Sequence, residues 1–264
     1  MKPSPKRHAK AQNTTRPAPG TDVIYGVHAV LAALGNPARA IRRVFATQNA
    51  LAAVKPALDA RGQAAEIVSP RDLDARLGDA AVHQGIAVEA DPLEVGNLED
   101  FIDALTPHQP VAVAILDQVT DPQNVGAILR SAAAFSIDAL VTQARHSPPA
   151  AGALTKAASG GIEHVTMLEA VNLTRAIAQL KNAGFFVIGF DSGATAELAE
   201  ALKGARRVAL VFGAEGKGLR RLVSESCDVI CALQTTGPIK SLNVSNAAAI
   251  AFYETARSKA TLNR

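Results

Sequence analysis

Three short segments combine carboxylate, amide, hydroxyl and guanidinium groups with turn-forming residues, and each follows an apolar run of strand length. The first runs Asp117-Gln118-Val119-Thr120-Asp121-Pro122-Gln123-Asn124-Val125-Gly126-Ala127-Ile128-Leu129-Arg130. Pro122 suits the start of a helix, where no backbone donor is needed, and either Asp121 or Asn124 can cap it. Arg130 follows Asn124 by a little under two turns, on a related face. A capped helix with a surface arginine satisfies this spacing as well as a working side chain does. The second segment, Phe212-Gly213-Ala214-Glu215-Gly216-Lys217-Gly218-Leu219, packs glycines closely enough for the backbone to approach a ligand and take positive φ values. The third, Leu233-Gln234-Thr235-Thr236-Gly237-Pro238-Ile239-Lys240-Ser241-Leu242-Asn243-Val244-Ser245-Asn246, runs into an alanine-rich helix. Here Ser241 and Asn243 also fit as a helix cap and its first-turn polar neighbour. The run Ala247-Ala248-Ala249 implies close packing of that helix against a sheet or a partner chain.

Other chemistries fit less well. The glycine segment is not a phosphate-binding Walker loop, because Gly218 rather than Ser or Thr follows Lys217. Its order Gly-x-x-Gly-x-Gly also reverses the dinucleotide fingerprint, and Cys231 and Leu233 stand where an acidic strand-end residue would be expected. Cys227 and Cys231 are the only cysteines, so neither a four-cysteine zinc site nor a disulfide framework is expected, and they read as buried small hydrophobes. The histidines are scattered, which gives no support to a His-based triad or metal cluster; no metal is expected.

The elements that must position these segments follow from hydrophobic period and punctuation. Residues 25–34 place Val27, Val30, Leu31 and Leu34 on one helical face, stopped by Gly35-Asn36-Pro37. Strands at 41–46, 65–68 and 85–89, with helices at 51–60 and 71–77, complete a small α/β unit. The proline- and acid-bearing stretch to Pro110 suits a connection carrying a short helix. Beyond it, apolar runs at 111–116, 139–141, 185–188, 208–212 and 229–233 alternate with helical segments at 124–135, 173–183, 197–203, 218–224 and 242–258. Strands apolar on both faces belong in a parallel sheet covered by helices on either side. The expected organisation is a basic tail over 1–20, a small α/β unit over 21–90, a linker over 91–110 and a larger α/β domain over 111–264. In such sheets, chemistry belongs in loops at the carboxyl ends of the strands.

With 48% hydrophobic and 19% charged residues, the chain has ample material for a packed core. No apolar run approaches the roughly 20 residues that span a bilayer, and a cytoplasmic protein is expected. The net charge of +3 hides an asymmetry: Lys2, Lys6, Arg7, Lys10 and Arg16 fall in the first twenty positions, which hold no acid. That tail reads equally as a solubilising leader or as an arm making phosphate contacts with RNA.

In order and approximate spacing, Asp121-Pro122-Gln123-Asn124-Val125-Gly126 with Arg130, the glycine segment 212–219, and Ser241-Leu242-Asn243-Val244-Ser245 resemble the three motifs of the SpoU class of RNA ribose 2′-O-methyltransferases. The resemblance covers residues 116–257. Through Tyr25-Gly26-Val27-His28-Ala29-Val30 and His83-Gln84-Gly85-Ile86, the front unit resembles the family's small substrate-binding domain, itself similar to a ribosomal protein. The pairing is most similar to members that modify a guanosine ribose in 23S rRNA. It implies an α/β enzyme whose C-terminal parallel-sheet domain carries a trefoil knot of the SPOUT type, with S-adenosylmethionine as cofactor, ribosomal RNA as partner and a homodimer as assembly. Targets on tRNA, a resistance-type rRNA target, or a noncatalytic role in ribosome assembly are the alternatives.

The same resemblance nominates Arg130 for the hydroxyl or the adjacent phosphate; because a guanidinium stays protonated and is a poor base, phosphate clamping and stabilisation of the developing alkoxide fit it better, with the proton acceptor left open. Asn124, Glu215, Ser241 and Asn243 orient it, the ribose and the cofactor. Gly213, Gly216, Leu233 and Leu242 line the cofactor loop. The chain departs from the family pattern at Gln234, where a proline is common, and at Lys240 before Ser241. His28 and His83 are candidates for RNA contact or for turn stabilisation. Arg42-Arg43, Arg206-Arg207 and Arg220-Arg221 read as solvated faces able to extend an RNA footprint. With two Tyr and no Trp, recognition by shape and backbone fits better than extensive base stacking.

Overall fold

The computed structural model describes residues 20–78, 80–143, 158, 160–239 and 241–262; the basic tail short of Gly20, and Lys240, lie outside them. The chain forms two sheets. In the first, β1 (Asp22–Tyr25), β2 (Ile41–Ala46), β3 (Ala65–Ile67) and β4 (Ile86–Ala90) lie in the order β1-β4-β2-β3. Only β2 and β3 pair parallel. Helices α1 (Val27–Gly35) and α2 (Gln48–Arg61) close a core of Ile24, Val30, Leu34, Val44, Val54, Leu58, Ile86 and Val88, and α3 (Pro70–Leu77) buries Leu73 against Phe45. Local chemistry sets the boundaries. The Thr47 side chain caps α2, which ends at Gly62 with φ 65°, and Ser69 and Asp72 form a reciprocal capping box at α3.

The expected helix from residue 25 instead begins at Val27, because the chain first makes β1 and then turns at Gly26 with φ 87°. Four residues are too few to display a strand period, and the inward position taken by Asp22 breaks the apolar alternation.

The second sheet holds β5 (Gly96–Asn97), β6 (Val111–Asp117), β7 (Ala139–Gln143), β8 (Thr166–Ala170), β9 (Phe186–Phe190), β10 (Ala196–Glu197), β11 (Arg207–Gly213) and β12 (Val229–Ala232). Their order is β10-β12-β9-β11-β6-β7-β8-β5, and every pairing is parallel. The expected α/β fold with a parallel sheet is present. Its continuous apolar runs arise because the two faces bury into different cores. On one face Ala112, Ala114 and Leu116 pack with α5 (Pro122–Ala134) and the final helix (Val244–Leu262). On the other, Val111, Val113 and Ile115 pack with α6 (Leu173–Asn182).

The connection after the first sheet does more than link. It carries the expected short helix, α4 (Leu98–Asp103), and also β5, which pairs with β8 as the sheet edge. Strand β8 was not expected, since the exposed Thr166 and Glu169 interrupt its apolar content. The helix expected over 197–203 shrinks to α7 (Leu198–Ala201), preceded by β10. The helix expected from 218 starts later, as α8 (Arg221–Ser226), because Arg220 is drawn back to Asp117. The final helix, α9, starts at Val244 rather than Leu242.

Candidate active site

All strands of the larger sheet point the same way, so the loops after β6, β9, β11 and β12 gather at one edge. There the loops after β9, β11 and β12 surround a cavity of about 360 Å³. The aromatic floor is Phe212, stacked on Phe190 at 4.8 Å between ring centroids and met edge-on by Phe252. Gly213, Gly216, Leu233, Ser241 and Leu242, all expected at the site, line this cavity together with Glu215.

The loop after β11 is folded back on itself. Gly218 donates its N–H to the Ala214 carbonyl at 2.9 Å, and Gly216 and Gly218 adopt φ values of 75° and 64°. A methyl group on Gly213 would lie 2.2 Å from the Gly218 carbonyl carbon, so only glycine permits this closure. The result is a cavity wall that exposes main chain at Gly213, Gly216 and Gly218.

Polar side chains from the three segments meet at the rim. The Asn124 side-chain amide donates to Glu215 Oε1 at 3.2 Å, and Asn243 donates to Asn124 Oδ1 at 3.0 Å and also to Glu215 Oε1. Asn243 is fixed in turn by Ser245, whose N–H and hydroxyl both donate to Asn243 Oδ1. Asp121, not Asn124, caps α5 by accepting from Gln123 N at 3.0 Å, which leaves the Asn124 amide for this cluster. Positions 91 and 119 residues apart in the chain are thereby joined.

Arg130 stands apart from that cluster. It is exposed on α5 and makes no hydrogen bond or ion pair with another described residue. Beneath it lies the backbone of a 3₁₀ turn, Gly161–Glu163: a methyl on Gly161 would come within 3.0 Å of the Arg130 Cα.

Sequence reasoning missed the contribution of β9. Phe190, Asp191 and Ser192 line the cavity, and Asp191 Oδ1 accepts from Gly193 N at 2.8 Å. The available signal was the strand-end position itself, since Asp191-Ser192-Gly193 follows an apolar run directly. Lys217 also lines the cavity.

The paired arginines are largely structural ties. Arg207 donates to the carbonyls of Ala183 and Thr106, both at 2.7 Å, and Arg43 pairs with Glu66. Arg220 pairs through Nε with the fully buried Asp117 at 2.7 Å. In the front unit, Val27 N donates to Gln84 Oε1 and Gly85 N to His83 Nδ1, so the segments around Gly26 and Gln84 adjoin and His83 stabilises a turn; His28 is exposed. Cys231 is buried, and burial pushes the Cys227 thiol up to about 12, which suits inert packing rather than nucleophilic work.

The glycine-permitted wall, apolar floor and small-residue lining fit a cofactor gripped largely by main chain. Comparison with known proteins agrees. The SpoU rRNA Methylase family matches residues 110–253, and the family described as RNA 2′-O ribose methyltransferase substrate binding matches residues 23–96. The 23S rRNA (guanosine-2′-O-)-methyltransferase RlmB of Salmonella typhimurium is 34% identical over 243 residues, 90% of this chain and 99% of that protein. An uncharacterized tRNA/rRNA methyltransferase of Mycolicibacterium gilvum is 34% identical over 97% of this chain and 84% of its own length. Among solved structures, the SpoU methyltransferase AviRb of Streptomyces viridochromogenes, in complex with AdoMet, superposes with a TM-score of 0.73 at 16% identity, covering 92% of this chain and 91% of that one. The chain belongs to the SpoU rRNA methylase family.

Proposed function

We propose that this chain methylates the ribose 2′-hydroxyl of a guanosine in 23S rRNA, with S-adenosylmethionine as donor. The observation that carries this reading is the meeting of Asn124, Glu215 and Asn243, from three separate loops, at the rim of a main-chain-lined cavity. When bound, the cofactor supplies an electrophilic methyl group on a sulfonium. The backbone of the Gly213 and Gly216 turn, with Leu233 and Leu242, holds it, and Phe212 closes the floor. Alignment of the acceptor hydroxyl with that methyl supplies most of the rate, because positioning alone offsets several kcal/mol of barrier.

Glu215 accepts both amides and so fixes Asn124 and Asn243 at the rim, where they orient the ribose, with Ser241 beside them in the cavity lining. Arg130, exposed and free of described partners, holds the adjoining phosphate and stabilises the oxygen as it loses its proton. The smaller sheet unit, over 21–90, binds the RNA, the connection spans 91–110, and the methyltransferase unit spans 111–264 with the knotted topology of its class. The enzyme works as a homodimer in the cytoplasm; no helix among the described residues is long and apolar enough to cross a membrane.

The test is transfer of tritiated methyl to unmodified 23S rRNA and to bulk tRNA, with the labelled ribose mapped. Label at one guanosine 2′-oxygen of 23S rRNA is expected. Label on tRNA alone would move the target, and RNA binding without transfer would replace the enzyme with an assembly factor.

A further inference from the structure

Outside the lining of the cofactor cavity, Arg39 is completely buried and joins three separate parts of the chain. Its Nη1 donates to Asp22 Oδ2 at 2.9 Å, on β1, and to the Asp91 carbonyl at 2.8 Å, where the connection begins. Its Nε and Nη2 donate to the carboxylate of Glu163, at 3.1 and 2.7 Å. Glu163 belongs to the larger sheet's side of the chain, in the 3₁₀ turn, and it also accepts from Asn36 Nδ2 at 2.8 Å. The loop carrying Arg39 is itself pinned: Arg61, at the end of α2, donates to the carbonyls of Ala33, Leu34, Asn36 and Arg39.

The turn that Arg39 grips is wedged between the two units. On one side Gly160 lies against α1, where a methyl would meet Ala32 Cβ at 3.0 Å and Ala29 Cα at 3.2 Å. On the other, Gly161 lies against α5, where a methyl would meet the Leu129 carbonyl oxygen at 2.8 Å and Arg130 Cα at 3.0 Å. Two consecutive glycines thus let one strip of backbone touch both helices. Helix α5 carries Asn124 at its start and Arg130 further along.

We propose that the Arg39–Glu163 pair is a positioning latch that sets the smaller, RNA-carrying unit in register with Arg130 and Asn124; this rests on the reading of that unit as the RNA binder. The physical argument is directional. Units joined by a connection move relative to one another by default unless their interface prevents it. A buried ion pair adds little net stability compared with apolar packing, yet its hydrogen bonds are satisfied in only one relative orientation. Glu163 takes a guanidinium and an amide from the front unit at once, so a small rotation breaks several bonds together.

The test uses the full chain, with a 23S rRNA transcript as substrate. Glu163→Gln removes one charge; the triple variant Asp22→Asn, Arg39→Met, Glu163→Gln removes all three and leaves no unpaired buried ion; Asn36→Ala removes a single bond. The KM for RNA should rise at least about fivefold in the triple variant, on the scale of ordinary coupling between sites, and by progressively less in Glu163→Gln and Asn36→Ala. The Kd for S-adenosylmethionine, measured by calorimetry, should be unchanged in all three. Small-angle scattering should show a wider distribution of interdomain distances for the triple variant. A triple variant that keeps the parent KM and scattering profile would overturn the latch, as would loss of cofactor affinity in parallel with RNA affinity, which marks general destabilisation. Failure of the parent chain itself to methylate 23S rRNA would instead remove the reading on which the latch rests.

Discussion

Around Arg39, all three guanidinium nitrogens donate to protein acceptors and the side chain is fully buried, whereas Arg130, some ninety residues on, is exposed with no described partner. The carboxylates differ in the same way: Glu163 is sealed under Arg39 and Asn36, while Glu215 stands exposed at a cavity rim and holds two amides. Saturated partners fix geometry and leave nothing for a substrate. Unspent donors and acceptors, held in place from behind, are what a reacting group can use. In this chain the two arrangements meet back to back, since the turn containing Glu163 packs directly under Arg130.

That contrast is broken most severely at the exposed member. Arg130→Ala should lower kcat about 10²–10³-fold, the range for losing one group that stabilises developing charge, with cofactor Kd unchanged. Unaltered turnover would take Arg130 out of the reaction. Next, Asn243→Ala should reduce kcat/KM about 10–100-fold, the scale of hydrogen bonds to a charged group, while the melting temperature barely moves because the cluster is exposed. A large drop in melting temperature would class the cluster with the buried one instead.

A smaller effect is expected where backbone meets backbone. Gly213→Ala places a methyl 2.2 Å from the Gly218 carbonyl carbon, and overpacking of this kind costs about 1–3 kcal/mol. Weakened S-adenosylmethionine binding with RNA affinity retained is the expected signature, and equal binding by calorimetry would show that the loop relaxes.

The mildest test concerns the thiols. Because burial pushes Cys227 from 9.0 up to about 12, its folded form stays neutral where an unfolded chain would ionise. Its contribution to stability is therefore complete below about pH 9 and is lost as pH rises toward about 12. Iodoacetamide at pH 8 should label the half-buried Cys227 far more slowly in the native protein than after denaturant is added, and equal rates in the two states would contradict its raised pKa.

Much of this was legible in the residues. The heavily apolar β6 and β11 could be read from composition, because a strand buried on both faces must be apolar throughout. The same reading failed for Asp22–Tyr25, Thr166–Ala170 and Gly96–Asn97. These strands are short or carry polar residues at their edges, and they exist because a neighbour supplies the missing hydrogen bonds. At the site, every nominated side chain except Arg130 either lines the cavity or joins the rim cluster. Phe190 and Asp191 are legible only as the end of an apolar run; that their loop lines the cavity depends on the sheet setting β9 between β11 and β12.

The sequence by itself determined the residue types at the site, the parallel-sheet class and the glycines that a folded-back loop requires, since these follow from sterics and hydrophobic period along a single stretch of chain. Only the tertiary structure decided that Asp121 caps α5 and frees Asn124, that Arg220 turns inward to Asp117, and that Arg39 reaches Glu163 across 124 positions. Which partner a polar group finds depends on what burial brings within about 3 Å of it, and separation along the chain carries no record of that distance.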